Sequence, residues 1–406
     1  MGVSAKPLQR SAKRTNLNIP FIPHGVRYLA LFSGLFVGCF FSLRLSLTLP
    51  PRVVQEESPM LLAPPQVSPS STLLESSSTK LPRLSVDWGN FQVLSPLAQD
   101  MVSHQANCSL PLADFRFRNR FGLGSDLHLW SVAMCNAMEA GYRVVTRQSD
   151  WIYNDQQVCP SSSASALTCY FPTAELQCPS DASSAAVSTN HPVLYRGRGR
   201  ISWNCSSLQT KYTTSQIESA AVEVLFSGVS LDRVVATARK QVLDIFGPSG
   251  APSNLILCHI RWGDKADEMK LVDISEYIRA VEELSSIGST SSDPSMETNV
   301  FLATEDPKAV EAFRRNAPPH WNIFVDEYLK VFRKHRQSTY NGHALLAKQL
   351  HGQPGRVALA SLLVAMEARS FVLTTASNWS RLMNELRRSI VEPRRGPTRM
   401  VDLRPS

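Results

Sequence analysis

The sequence predicts an α/β fold whose C-terminal part is a doubly wound parallel sheet. The first observation is a regular alternation, from residue 254 onward, of short apolar runs with amphipathic helical stretches. The second is that these runs are apolar at successive positions, as in strands buried on both faces. The third is that polar residues follow several runs directly, which is typical of strands that present side chains to a ligand.

The repeating units in this part of the chain predict four strands and four helices. The predicted strands are 254–261, 300–303, 323–326 and 371–375. The predicted helices are 274–284, 307–315, 356–368 and 378–388. Pro307 fits the first turn of its helix, because its missing N–H would have no helical partner there. The stretch from the end of the strand at 323–326 to Gly355 has no clear periodicity.

A less regular unit is predicted before residue 254, and it begins near Trp88. A glycine-rich turn at 120–124 precedes a helical pattern that Gly141 ends, and residues 142–146 then form a predicted strand. Further predicted elements are amphipathic helices at 217–225 and 230–246 and irregular, Ser- and Cys-rich loops at 155–215.

Composition separates a leader from this globule. Residues 28–49 are long and apolar enough to cross a bilayer, and six basic residues but no acidic one precede residue 50. This bias predicts a cytosolic N-terminus and a lumenal globule. A cleaved signal peptide is the alternative, which the long basic leader disfavours. The predicted segments are a basic tail (1–27), a membrane anchor (28–49), a disordered Pro/Ser-rich stem (50–87), an N-terminal half (88–250) and a C-terminal half (251–406).

Two features of the sequence argue against a nucleic-acid partner and against a bound divalent metal ion. The chain has 42 basic and 34 acidic residues, and most of the excess lies in the leader, so we expect no nucleic-acid partner. The sequence contains no Asp-x-Asp pair, and we therefore expect a site that works without a divalent metal ion.

The eight cysteines lack the spacing of zinc ligands and predict disulfides in an oxidising lumen. Those expected to form disulfides lie in polar, loop-like contexts: Cys108, Cys159, Cys169, Cys178 and Cys205. Cys135 and Cys258 lie in apolar runs and are expected as buried thiols. Cys39 falls in the membrane anchor.

Arg261 marks the predicted site, because it directly follows the first apolar run of the sheet. Since the carboxyl ends of parallel strands meet at one edge, three loops should converge there: 259–268, 304–306 and 374–378. The guanidinium fork of Arg261 suits a phosphate group, and Glu268 on the same loop suits a proton acceptor. The alternatives are a structural ion pair for Arg261 and a satisfied core histidine at His259.

Other polar groups near these loops are candidates with open alternatives. Glu305 and Asp306 suit a ribose or a base, or they form only a solvated helix cap. Thr375, Ser377 and the amides of the helix that Ser377 caps can donate hydrogen bonds to an anion. The glycine-rich turn at 120–124 opens a helix and suits a phosphate or a sugar, although a plain tight turn has the same composition.

Three segments resemble, in order, the donor-site motifs of the α1,6-fucosyltransferases. They are His259-Ile-Arg261-x-x-Asp264-Lys265, VFLATEDP at 300–307 and TTASNWSR at 374–381. The segment from Gly122 to His128 is similar to the glycine-rich segment of the core-type enzymes, and Ser149–Trp151 also fits. The similarity covers most of residues 105–390. The wider superfamily includes the rhizobial Nod-factor enzymes and the protein O-fucosyltransferases.

This resemblance implies a GT-B-like fold of two Rossmann-like halves and an inverting transfer of fucose from GDP-β-L-fucose without a metal. It implies that Arg261 grips the β-phosphate, that Glu268 is the catalytic base and that Lys265 relays its proton. With the residues argued above, the donor-binding set is His259, Arg261, Asp264, Asp306, Gly122, Gly124, Thr375 and Ser377. A disulfide between Cys108 and Cys169 is also implied.

The sequence departs from the family at several points. Ser361 stands where the family has a guanine-contacting Asp, and Trp262 stands where it has a second Arg. The Src-homology-three-like domain of the animal core enzymes is not expected. The acceptor therefore stays open between the innermost GlcNAc of N-glycans, which we favour, another glycan and a protein hydroxyl.

The predicted protein is a single-span type II enzyme of the Golgi membrane. Its expected partners are GDP-fucose and an N-glycan or glycoprotein, and a homodimer stays open. One alternative is a protein O-fucosyltransferase, which the anchor disfavours. Another is a non-catalytic lumenal glycan-binding protein on the same fold, which the combination of Arg261, Lys265 and Glu268 disfavours.

Overall fold

The computed structural model describes residues 81–146, 151–159, 165–175, 178–179, 202–263, 270–288, 297–332 and 342–404. All of them belong to one compact unit, Ser76–Ser406. The predicted membrane anchor lies outside these ranges, and within them no helix is long and apolar enough to cross a bilayer. Leu84 and Val86, which the prediction assigned to the stem, are buried in the core.

The first part of the unit is mainly helical. Its elements are α1 (Pro96–Ala106), β1 (Leu112–Phe115), α2 (Leu123–Ala140), β2 (Arg143–Thr146), α3 (Ser206–Gln209), α4 (Thr214–Ser227), a π-helical turn (Leu231–Val235) and α5 (Ala236–Phe246). Gly141 ends α2 in the left-handed conformation at φ 71°, where a Cβ would be disfavoured. β1 and β2 pair in parallel and form, with α2, a single β–α–β unit. Within the described residues, this unit is smaller than the Rossmann-like half that the sequence predicted.

The second part alternates strands with helices as the sequence predicts. Its elements are β3 (Ile256–His259), α6 (Ile274–Gly288), β4 (Asn299–Ala303), α7 (Pro307–Asn316), β5 (Asn322–Val325), a 3₁₀ helix (Glu327–Phe332), α8 (Gly342–Gln349), α9 (Gln353–Ala365), β6 (Ser370–Leu373), α10 (Asn378–Leu386), a π-helical turn (Arg387–Val391), α11 (Glu392–Arg395) and β7 (Arg399–Asp402).

The five strands β3–β7 form one parallel sheet in the order β5-β4-β3-β6-β7. The chain moves outward from β3 through β4 to β5, then returns to the other side of β3 for β6 and β7. The predicted doubly wound sheet is therefore confirmed. The order of the strands reverses between β3 and β6, and their carboxyl ends leave a crevice there.

Both faces of this sheet are buried, which explains the continuous apolar runs in its strands. On β3, Ile256 and Cys258 pack into one cluster with residues of α6 and α7. Leu257 points to the opposite face and joins the larger cluster, which includes residues of α2, α4, α5 and α9. The larger cluster is continuous from the first part of the unit to the second, so the two parts share one core.

The sequence prediction missed β7 and α8, as well as the 3₁₀ helix at Glu327–Phe332 and the short helix α11. β7 is a short edge strand whose residues are exposed or half-buried, so it lacks the apolar run that marks the other strands. α8 lies in the stretch without periodicity, and only Ala344, Leu346 and Ala347 are buried on it. The predicted helix at 356–368 begins earlier, at Gln353, because Pro354 fits its first turn.

The three disulfides are Cys108–Cys178, Cys135–Cys205 and Cys159–Cys169. The predicted disulfide state of the five loop cysteines is confirmed, as is the buried free thiol of Cys258. The expected buried thiol at Cys135 was wrong, because its apolar helix meets Cys205 from a segment 70 residues later. The Cys108–Cys169 pairing was also wrong, since Cys169 instead closes a short local loop with Cys159.

Candidate functional site

A cavity of about 850 Å³ opens at the carboxyl ends of β3, β4 and β6, where the strand order reverses. One part of its wall consists of residues 259–262, residues 304–305 and the start of α10. The rest of the wall includes the starts of α2 and α4 and the side chain of Trp203. The cavity is within the range of roughly 300–1,000 Å³ that is typical of sites for small molecules.

His259 ends β3 and lines the cavity as a neutral imidazole. Burial, and secondarily the charge of Arg261, lowers the pKa of His259 to about 3. Its Nδ1 lies 2.6 Å from the hydroxyl of Ser380, which also accepts the N–H of Thr374 at 3.1 Å. This contact with Ser380 fixes the orientation of the His259 ring in the cavity wall. With the hydroxyl of Ser380 donating to Nδ1, Nε2 carries the N–H and is the hydrogen-bond donor of His259.

Arg261 lies in the cavity wall, half-buried, directly after β3. Its Nη1 donates to the carbonyl oxygen of Trp262 at 3.0 Å, and its Nη2 lies 3.4 Å from Nε2 of His343. The same nitrogen of His343 lies 3.5 Å from a carboxylate oxygen of Glu305. Arg261 therefore stands in the predicted cleft, beside a histidine from α8 that sequence reasoning missed.

The two acidic residues after β4 have different surroundings. Asp306 is the N-cap of α7, and its side chain accepts the N–H of Lys308 at 3.0 Å. Glu305 lines the cavity, whereas Asp306 is not part of its wall. Asp306 thus forms the helix cap of the alternative prediction, although the cap is buried and not solvated. The predicted contact of Asp306 with the nucleotide sugar stays a prediction.

Ser377 is the N-cap of α10 and lines the cavity, but its side chain makes no capping hydrogen bond. The first amides of α10 have no intrahelical partner and carry the positive end of the helix dipole. Thr375 is differently placed, since its N–H and hydroxyl donate to the carboxylate of Asp402 at 2.9 and 2.7 Å. Because β7 was not predicted, this structural partner of Thr375 could not be foreseen.

The glycine-rich turn brings the start of α2 against the start of α10. A Cβ on Gly124 would lie 3.2 Å from Cε3 of Trp379, whereas one on Gly122 would meet nothing within 4 Å. Asn378 Nδ2 donates to the hydroxyl of Ser125 at 2.5 Å across the same contact. Two helix N-termini therefore meet at one cavity, and both favour an anion there.

Asp126 in the first turn of α2 does not cancel this positive end at neutral pH. Burial raises the pKa of Asp126 to about 8, against a smaller lowering by the hydrogen bond from Trp151. Trp151 Nε1 donates to Oδ2 of Asp126 at 2.9 Å. The carboxyl group is therefore protonated at neutral pH.

A polar cluster of His128, Glu218, Arg381 and Glu385 borders the cavity. His128 Nε2 lies 2.9 Å from Oε2 of Glu385, and His128 Nδ1 lies 3.4 Å from Nη2 of Arg381. Because a guanidinium group only donates, Nδ1 accepts and Nε2 donates its proton to Glu385. Arg381 also donates to Oδ1 of Asn378 at 2.7 Å, which fixes it at the start of α10.

The polar cluster carries less charge than its side chains suggest. Burial lowers the pKa of His128 to about 4 and raises the pKa of Glu385 to about 8. Burial, followed by the charge of Glu385, also raises the pKa of Glu218, and the two carboxyl groups hydrogen-bond each other. At neutral pH, His128 is therefore neutral, and burial favours the protonated form of Glu385, which hydrogen-bonds Glu218. Both carboxyl groups face Arg381.

Several predicted site residues cannot be located relative to this cavity. Asp264, Lys265 and Glu268 fall outside the described ranges, and their roles stay predictions.

Ser361 is described and is buried on α9, with its hydroxyl 3.4 Å from Oε1 of Gln241. In the ranges that the structure describes, no group of three or more His, Cys, Asp or Glu side chains could hold a metal ion.

Comparison with known proteins gives matches among solved structures alone. No family model matches the chain, and no curated protein matches it. Among solved structures, the chain is similar to the crystal structure of NodZ α1,6-fucosyltransferase soaked with GDP-fucose, with a TM-score of 0.36 and 16% identity. The match covers 68% of this chain and 92% of that chain.

Proposed function

We propose that the protein is an inverting fucosyltransferase that uses GDP-β-L-fucose and a glycan acceptor. The observation that carries the proposal is the convergence of Arg261 with the N-termini of α2 and α10 on one cavity. A guanidinium group and two sets of free amides are a suitable environment for the diphosphate of a nucleotide sugar. The cavity volume of about 850 Å³ leaves room for the nucleotide and the sugar as well.

The reaction needs a group that absorbs the charge of the leaving nucleotide. As the bond between the anomeric carbon and the β-phosphate oxygen breaks, its electron pair stays on the diphosphate. Arg261 and the amides of α10 beyond Ser377 stabilise this charge, and the N–H of His259 adds a donor. The close approach at Gly124 keeps the two helix starts together, so these donors are preorganised.

The acceptor hydroxyl attacks the anomeric carbon from the side opposite the diphosphate, which inverts the configuration. Its proton passes to the carboxylate of Glu268, with Lys265 as relay partner, and GDP leaves. We propose no metal ion in this step, because Arg261 supplies the positive charge that a divalent ion would otherwise supply. The favoured acceptor is the innermost GlcNAc of N-glycans with an α1,6 linkage, and the proposed location is the Golgi membrane with a lumenal catalytic domain.

The test is transfer by the purified full chain from GDP-fucose to a panel of N-glycans and glycosylated peptides, with EDTA present, analysed by mass spectrometry. We expect a fucosylated glycan, and calorimetry should show GDP binding. Arg261→Ala should lower kcat/KM by about 100-fold or more, as expected for loss of one preorganised charge-stabilising group. Arg279→Ala removes an exposed arginine on α6 and should leave the rate unchanged.

Two outcomes would reject the proposal. The first is a wild-type chain that binds no GDP and transfers no fucose to any member of the panel. The second is full activity in Arg261→Ala, since the role of the guanidinium group in the cavity is the basis of the assignment. Transfer that depends on a divalent ion would reject the metal-free mechanism while leaving the activity itself in place.

A further inference from the structure

A separate part of the cavity wall has no assigned role in binding the nucleotide sugar. It consists of Leu129, Val132, Trp203, Thr214, Ser215 and Glu218, and we call it the acceptor lobe. We propose that the acceptor lobe binds a sugar ring of the acceptor, with Trp203 against one face of the ring and Glu218 hydrogen-bonded to its hydroxyls. This inference rests on the proposed function, because it assigns the second substrate of the same cavity.

Trp203 is held rigidly although it lies in a segment without regular structure. Asn136 on α2 donates to the carbonyl oxygen of Ser202 at 2.9 Å and accepts the N–H of Asn204 at 2.7 Å. The disulfide between Cys135 and Cys205 joins the same two segments. The backbone on both sides of Trp203 is therefore fixed to α2, and the half-buried indole forms part of the wall without further ordering on binding.

The acceptor lobe combines an apolar surface with hydroxyl and carboxyl groups. Leu129 and Val132 are three positions apart and lie on one face of α2, next to the segment that holds Trp203. Thr214 and Ser215 lie in the first turn of α4, which the capping box of Thr213 and Gln216 fixes. A sugar ring has an apolar C–H face and a rim of hydroxyls, so it matches both halves of this surface.

Glu218 is equipped to bind neighbouring hydroxyl groups. It faces Glu385, His128 and Arg381, which are the charged and titratable groups around it on α10 and α2. Glu218 lines the cavity and hydrogen-bonds Glu385 behind it, so its carboxyl group is held in place and can bind two adjacent hydroxyl groups. Neighbouring hydroxyls of a sugar can each donate a hydrogen bond, and the two oxygens of one carboxyl group can accept them.

The test measures binding of a free N-glycan with an intact innermost GlcNAc to the full chain, with saturating GDP, by calorimetry. Trp203→Ala should raise the Kd for this glycan roughly tenfold or more, and Trp203→Phe should restore most of the affinity. Glu218→Ala should have a similar effect, with partial recovery in Glu218→Gln, since an amide also donates and accepts. Glu282→Gln makes the same charge change on an exposed face of α6 and should alter nothing.

A second measurement, the Kd for GDP, distinguishes contact of Trp203 with the acceptor sugar from contact with the nucleobase. It should be unchanged in every acceptor-lobe variant, and thermal unfolding should show that the variants are folded. The inference is overturned if the wild-type chain does not bind the glycan, or if Trp203→Ala and Glu218→Ala bind it normally. It is also overturned if Trp203→Ala weakens GDP, because the indole would then contact the base. Failure of the proposed function has a different signature, which is absence of GDP binding in the wild type.

Discussion

Asp126→Asn is a substitution whose effect on stability follows directly from the structure. Asp126 has no exposed surface, and burial raises its pKa to about 8 from a usual value of 3.8. The folded protein therefore keeps a proton that the unfolded chain releases between these two values. The free energy of unfolding falls as pH rises through this window, by about 1.4 kcal/mol per pH unit for one proton. Asparagine still accepts from Trp151 and does not titrate.

The assay is urea unfolding of the wild type and Asp126→Asn at about pH 5.5 and about pH 7.5. The wild type should lose roughly 2–3 kcal/mol relative to the variant between these conditions. Glu385 titrates in both proteins, so its contribution cancels in the difference. Asp100→Asn, at an exposed position of α1, serves as control and should follow the wild type. Equal pH dependence in the wild type and Asp126→Asn would refute the protonated state assigned to this carboxyl group.

Three further predictions test the contacts around the cavity. Gly124→Val should raise the Kd for GDP at least tenfold in calorimetry, because its side chain separates the two helix starts. Glu311→Val, at an exposed position of α7, serves as control and should bind GDP normally. Normal GDP binding by Gly124→Val would contradict the close approach. Thr375→Val should lower the free energy of unfolding by about 1–3 kcal/mol with no change in the KM for GDP-fucose. A raised KM at unchanged stability would instead support its donor-binding role. Replacing Cys135 and Cys205 by serine opens a loop of 70 residues and should destabilise the fold by roughly 4 kcal/mol, with a larger rise in acceptor KM than in donor KM. Equal rises would contradict the link between the bridge and the acceptor lobe.

The parts of the fold that sequence reasoning predicted are those with a strong local pattern. Strands β3, β4 and β6 are buried on both faces, and each has a short run of consecutive apolar residues. An amphipathic helix shows apolar residues only at every third or fourth position, so the runs predict strands. The position of Arg261 follows from the same pattern, since the residue after a central parallel strand lies at the sheet edge where ligands bind. β7 has no such pattern because it is an edge strand. Since Asp402 lies on β7, its hydrogen bonds with Thr375 were not predicted either.

The parts that could not be predicted depend on residues far apart in the chain. His128 and Glu385 are 257 positions apart, and either one alone would be expected to be charged or exposed. Their burial together in the folded protein lowers the pKa of His128 and raises the pKa of Glu385. His343 gave no signal because its helix lies in a stretch without periodicity. The position of Arg381 could have been inferred from the sequence. It follows the predicted N-cap Ser377 by one helical turn and therefore lies at the start of α10.

The order of the cysteines along the chain has a consequence for biosynthesis. The bridges Cys108–Cys178 and Cys135–Cys205 are interleaved, so that each begins inside or ends beyond the span of the other. With Cys39 withheld in the predicted membrane anchor, a chain oxidised progressively during synthesis would first join Cys108 to Cys135, which is a non-native pair. Reaching the native connectivity then requires thiol–disulfide exchange, which is slow unless an isomerase catalyses it. Secretory expression in a host with an active isomerase is therefore the suitable route to correctly folded protein.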